Sequence, residues 1–220
     1  MKCAVIVFPG SNCDYDAYYV IKHHLNIDVD FIWHKDSDLR LYDLIIIPGG
    51  FSYGDYLRAG AIARFSKIMS AIKSESKKGK AVIGICNGFQ ILVESGLLPG
   101  SLITNDSTNF ISKSVKLKVV NNNSLFTNCF TNKQIIKMPI AHKQGNYFAD
   151  DNLLKQLKDN NQIAFKYVDN PNGSKFDIAG IFNNQKNILG MMPHPERASE
   201  ELLGSTEGLN IFKSIISKLI

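Results

Sequence analysis

The chain has 220 residues, of which 45% are hydrophobic and 20% charged, a balance that supports one buried α/β core and excludes a disordered or fibrous chain. Its 25 Lys and Arg against 20 Asp and Glu leave a net charge of +5, but the basic residues are scattered rather than gathered into a stripe, so no nucleic-acid partner is expected. The first apolar run, residues 4–8, stops at Pro9-Gly10, too short for a signal-peptide core or a membrane span; a cytoplasmic protein without a membrane partner is expected.

Residues 2–8 form a continuous apolar run, and residues 44–47 and 81–85 repeat its form, as strands buried on both faces of a parallel sheet do. Residues 29–33 read as a weaker strand. Between these runs, residues 14–24 and 61–75 carry helical spacing of apolar side chains, which gives βαβ units and a doubly wound, mostly parallel sheet flanked by helices. Beyond a helical stretch at 89–94, the texture changes to short β-like pieces at 114–120, 134–138 and 163–168, separated by Asn-rich turns. An Asn170-Pro171-Asn172-Gly173 turn precedes a strand at 178–182; a last strand at 188–192 and an amphipathic helix at 209–219 close the chain. A smaller antiparallel β portion is therefore expected in the second half. No internal repeat or linker interrupts the sequence, so residues 1–220 read as a single domain.

Cys3, Cys13, Cys86 and Cys129 are far apart with no Cys-x-x-Cys pair, which argues against a zinc knuckle or disulfide framework; no metal is expected. Gly84-Ile85-Cys86-Asn87-Gly88 has the form Gly-x-nucleophile-x-Gly between an apolar strand and a helix. The glycines relieve crowding at a sharp strand-to-helix turn, and a helix N-terminus stabilises a thiolate. Cys86 is thus the expected nucleophile, while Cys3, Cys13 and Cys129 read as core cysteines.

Of His23, His24, His34, His142 and His194, only His194 has the setting of a base. Pro195 biases it toward extended backbone, and in an extended segment residues i and i+2 share a face, so Glu196 can orient the imidazole. His23 and His24 read as surface residues; His142 stays open. Pro48-Gly49-Gly50-Phe51 follows the strand at 44–47 and brings free backbone N–H groups to the same sheet edge. Gly50 and Asn87 are the expected oxyanion donors. No Gly-x-x-x-x-Gly-Lys-Ser/Thr loop and no Gly-x-Gly-x-x-Gly occurs, so the chain carries no recognisable nucleotide site.

Gly-Ile-Cys-Asn-Gly-Phe-Gln at 84–90, Pro-Gly-Gly-Phe at 48–51 and Pro-His-Pro-Glu-Arg at 193–197 together resemble the class I glutamine amidotransferases. The segments at 8–14, 49–60, 170–174 and 190–197 resemble the branch that forms the glutaminase subunits of phosphoribosylformylglycinamidine synthases. The stretch from Phe51 to Arg58 argues against the branches serving guanylate, histidine or pyridoxal phosphate synthesis. The resemblance implies a flavodoxin-like fold, a Cys86-His194-Glu196 triad, and Gln90 as a contact for substrate glutamine. It also implies ammonia delivery to a synthetase subunit, with a small bridging subunit, that converts formylglycinamide ribonucleotide to the amidine; no cofactor would sit in this chain, and Mg-ATP would be used by the partner. Tyr53, Tyr56 and Arg58 have the chemistry of anchors for that partner. One departure stands out: Ala141-His142-Lys143-Gln144-Gly145 occurs where the branch reads Ala-His-Gly-Glu-Gly.

Overall fold

The apolar runs become strands because their side chains are hidden on both faces. In β1 (Lys2–Val7) Cys3, Ala4, Val5 and Ile6 are buried, as is every residue of β3 (Leu44–Ile47), β4 (Ala81–Ile85), β10 (Ile178–Phe182) and β11 (Ile188–Met191). A computed structural model describes residues 1–219. The other strands are β2 (Asp28–Trp33), β5 (Ser101–Ile103), β6 (Ile111–Val119), β7 (Ile135–His142), β8 (Asn146–Phe148) and β9 (Ile163–Tyr167). The α-helices are α1 (Asp14–Tyr19), α2 (Lys67–Lys77), α3 (Asn87–Glu94), α4 (Asp151–Asp159) and α5 (Leu209–Leu219).

Nine strands form one sheet in the order β2-β1-β3-β4-β11-β10-β9-β6-β7. The β2-β1-β3-β4-β11 portion is parallel throughout and follows the flavodoxin-like order, with β11 in fifth place. From β10 onward each neighbour is antiparallel. The antiparallel portion is therefore an extension of the main sheet, while β5 and β8 form a separate antiparallel pair. In this sheet order, ligands belong at the carboxyl ends of the parallel strands, where the loops after β1, β3, β4 and β11 meet.

The structure differs from the sequence reading at several elements. The helix expected over 61–75 is broken: a 3₁₀ turn at Ala63–Phe65 gives way to extended Ser66 (ψ 145°) before α2 begins. That over 14–24 changes after α1 to a π turn at Val20–His24. Strands β5 and β8 and helix α4 were not expected. Helix α4 is a short amphipathic segment capped by Asp150, whose carboxylate accepts from the Leu153 N–H at 2.8 Å. Cys129 is exposed rather than in the core. Among the described residues no helix is long and apolar enough to cross a membrane.

Candidate active site

Cys86 stands between β4 and α3 with φ 49° and ψ −104°, a backbone conformation that side chains rarely adopt. Three neighbours hold it there. A Cβ on Gly84 would lie 2.5 Å from Leu92 Cδ1, one on Gly88 would strike the Ile47 carbonyl oxygen, and the Cys86 N–H donates to the Met191 carbonyl at 2.8 Å. The turn is thus locked to β3, β11 and α3, and its thiol reaches the carboxyl edge of the sheet. Cys86 is 5% exposed and lines a cleft of about 220 Å³ together with Gly50, Asp55, Gln90, His142 and Lys143. Its Sγ lies 3.5 Å from the Ala141 carbonyl oxygen.

His194 follows β11 in extended backbone, and its N–H donates to the Pro139 carbonyl of β7 at 2.9 Å. Glu196 Oε1 is 2.6 Å from His194 Nδ1, with both side chains buried. That bond leaves Nε2 to exchange a proton; it is buried and without a hydrogen-bond partner among the described residues. Burial opposes the imidazolium, but Glu196 and then Cys86 supply enough negative charge to hold the His194 pKa well above its ordinary value. Burial, and then Cys86, push up the pKa of the Tyr167 hydroxyl, which has no hydrogen-bond partner among the described residues.

A second thiol touches this imidazole. The ligand atoms of Cys13, His194 and Glu196 all lie within 4.8 Å of one another, and Arg197 Nη2 donates to Cys13 Sγ at 3.2 Å. Cys13 is buried, as expected, but beside His194 rather than in the general core. Burial raises its pKa, with Glu196 adding to the rise against the nearby His194 and Arg197. Gly49 keeps the two together, since a Cβ there would sit 2.8 Å from His194 Cε1 and 3.2 Å from Cys13 Sγ. A clue to Cys13 was present in the sequence: it lies in the loop after β1, at the same sheet edge as the Gly49-Gly50 turn.

Gly50, at φ 138°, and Asn87, first residue of α3, border the thiol; the Asn87 N–H lies in the first turn, outside the helical hydrogen-bond ladder. The Asn87 side chain accepts from the Ser52 N–H at 3.1 Å and donates to Gln90 Oε1 at 2.9 Å and Asp55 Oδ1 at 3.3 Å. Gln90 Nε2 donates to the Gln144 carbonyl at 2.7 Å, and Gln144 Oε1 accepts from the Ala59 N–H at 3.1 Å, so the Lys143-Gln144 loop is tied to both walls. His142 is buried in that loop with Nδ1 3.1 Å from Asn105 Oδ1; burial, then His194, lowers its pKa to about 4 and keeps it neutral.

The three expected interface residues part company. Tyr53 turns inward, its hydroxyl 3.0 Å from both His34 Nδ1 and Ser66 Oγ. Arg58 is exposed but forms a two-pronged pair with Glu94 at 2.7 and 2.6 Å. Tyr56 is 70% exposed.

Residues 1–210 match the family model for a CobB/CobQ-like glutamine amidotransferase domain. The PurLQS structure from Thermotoga maritima is 46% identical over 100% of this chain and 99% of that one, with a TM-score of 0.92. Two more distant structures share the fold: a glutamine amidotransferase from Thermotoga maritima (16% identity, 100% and 97% coverage, TM-score 0.65) and a putative GMP synthase subunit from Thermoplasma acidophilum (15%, 99% and 93%, 0.64). With a family model spanning nearly its whole length and a 46% identical relative covering all of it, this chain belongs to the CobB/CobQ-like glutamine amidotransferases.

Proposed function

We propose that residues 1–220 form one glutaminase domain that supplies ammonia to a phosphoribosylformylglycinamidine synthetase, with Cys86 as nucleophile, His194 as acid and base, and Glu196 as its orienting group. The full-length match to PurLQS at 46% identity carries the choice of partner. In the reaction, the Cys86 thiolate attacks the side-chain amide carbon of glutamine; a C–S bond forms and the carbonyl electrons move to oxygen. The Gly50 and Asn87 N–H groups receive that oxyanion, and loss of one such donor costs roughly 3 to 4 kcal/mol of barrier. Protonated His194 gives its Nε2 proton to the nitrogen as the C–N bond breaks, releasing ammonia and leaving a thioester. His194 then takes a proton from water, whose oxygen attacks the thioester to release glutamate and restore the thiolate.

Gln90 contacts the substrate in this reading, and no metal takes part in it. The synthetase binds Mg-ATP, joined through a small bridging subunit. Four free cysteines fit a reducing, cytoplasmic compartment. The exposed Tyr56 and Arg58 rim, next to the Gly50 turn, is the surface that senses docking; Tyr53 supports it from beneath. Purified chain, synthetase, formylglycinamide ribonucleotide, Mg-ATP and glutamine should together yield glutamate and ADP, with glutamate release slower when the synthetase is omitted. Absence of glutamate from the complete mixture would overturn the reading, and equal rates with and without synthetase would remove the docking sensor.

A further inference from the structure

The cleft over Cys86 holds two opposite charges that the chain does not pair. Asp55 is drawn into its wall by a left-handed backbone (φ 53°). Its hydrogen bond from Asn87 Nδ2 is long, at 3.3 Å, and no Lys, Arg or His nitrogen among the described residues lies within 4.0 Å of it. Burial lifts its carboxyl to about 6, only partly offset by Asn87. A half-buried carboxylate without a cation carries part of the cost of desolvation, and an entering ammonium would relieve it. Lys143, also on the cleft, likewise has no carboxylate within 4.0 Å among the described residues. The bonds that fix Asn87, Gln90 and Gln144 tie together the walls of the cleft that Asp55, Lys143 and the thiol share.

We propose that Asp55 and Lys143 are the two poles of a subsite for a zwitterionic amino-acid head group, Asp55 receiving the α-ammonium and Lys143 the α-carboxylate. This rests on the glutamine reading above and gives it a specificity determinant: the head group is held by its two charges while the side-chain amide reaches Cys86. Lys143 then supplies a cation where the related branch has glycine. A merely structural Asp55 would serve only to accept from Asn87, a role that asparagine retains.

The test is the rate at which Cys86 is alkylated in the chain assembled with its synthetase. Three reagents separate the contributions: 6-diazo-5-oxo-L-norleucine, which carries the full head group, its des-amino analogue, and iodoacetamide. Asp55→Asn should slow the first by about 10- to 100-fold, the effect of losing one charged hydrogen bond, and leave the other two unchanged. Lys143→Met, at an exposed position, should slow the first two by about two- to fivefold and spare iodoacetamide. Asp55→Asn that reacts with the diazo ketone as fast as the parent, or that slows all three reagents alike, would refute the subsite. If the parent reacts with iodoacetamide but never with the diazo ketone, the glutamine reading itself fails and the subsite falls with it.

Discussion

Two loops present a thiol to the same imidazole, and they differ in what surrounds the sulfur. After β4, the backbone of Cys86 is forced to positive φ by contacts from three elements, and its sulfur opens onto a cleft. After β1, Cys13 sits in ordinary backbone (φ −105°), closed in by Gly49 and Arg197, and does not line that cleft. Nearness to a base is therefore common to both. Both cysteines also stand at the N-cap of a helix; what separates them is access to the cleft, which a nucleophile needs in addition to a base.

Exchanging the two cysteines in turn should break the symmetry most sharply. Cys86→Ala is expected to lose glutaminase activity by more than about 10⁴-fold, whereas Cys13→Ala keeps activity within about tenfold; glutamate release by each variant in the assembled enzyme decides it, and the reverse order would move the nucleophile to Cys13. Next in size is the base: His194→Ala should lower turnover by several orders of magnitude and Glu196→Gln by less, because fixed geometry partly replaces the carboxylate. Both variants should still support synthesis from free ammonia, and failure there would point to lost assembly instead.

Gly49→Ala tests what the two loops share. Its methyl group would press on both His194 and Cys13, so turnover should fall by about 10²-fold with little change in glutamine KM; a variant with parental turnover would show that the ring has room to move. The smallest effect concerns stability. His142 has its folded pKa lowered from 6.5 to about 4, so between those values the unfolded chain binds more protons and stability falls as pH falls. The loss amounts to at most about 3 kcal/mol. Denaturant melts of the parent and His142→Gln at pH 7 and pH 4.5 should differ in slope with pH; identical slopes would rule His142 out as the source.

The parallel half of the sheet was legible because its strands are hidden on both faces and so read as unbroken apolar runs. The elbow was legible because Gly84 and Gly88 are required by close backbone approach; the His194-Glu196 pair is present, but by another route than the extended segment expected, since only His194 is extended and Glu196 lies in a 3₁₀ turn at Pro195–Arg197. The fusion of the antiparallel strands to the main sheet was not legible: it depends on β10 pairing with β11 and on β9 pairing with β6, long-range choices that local pattern does not encode. Asp55 also escaped notice, since an aspartate in an aromatic loop looks like a solvated charge until the fold turns it into the wall of a cleft. Cys13 and the base are 181 residues apart in sequence, and only the parallel pairing of β1 with β3 carries the Cys13 loop to the Gly49 turn that packs against His194.

Strand β7 ends the sheet far from the parallel strands, yet its carbonyls at Pro139 and Ala141 meet the His194 N–H and the Cys86 thiol. These carbonyls are two residues apart, so they lie on one repeat of the strand and act as a gauge with fixed spacing. Pairing of Ser114 with Pro139 and Ser112 with Ala141 sets that gauge against β6. A slip of one residue would turn both marks to the opposite face at once. The spacing between His194 and Cys86 is in this sense measured by an edge strand, so an added residue between Pro139 and Ala141 would miscalibrate both, while one in the turn before Ile135 would leave the gauge untouched.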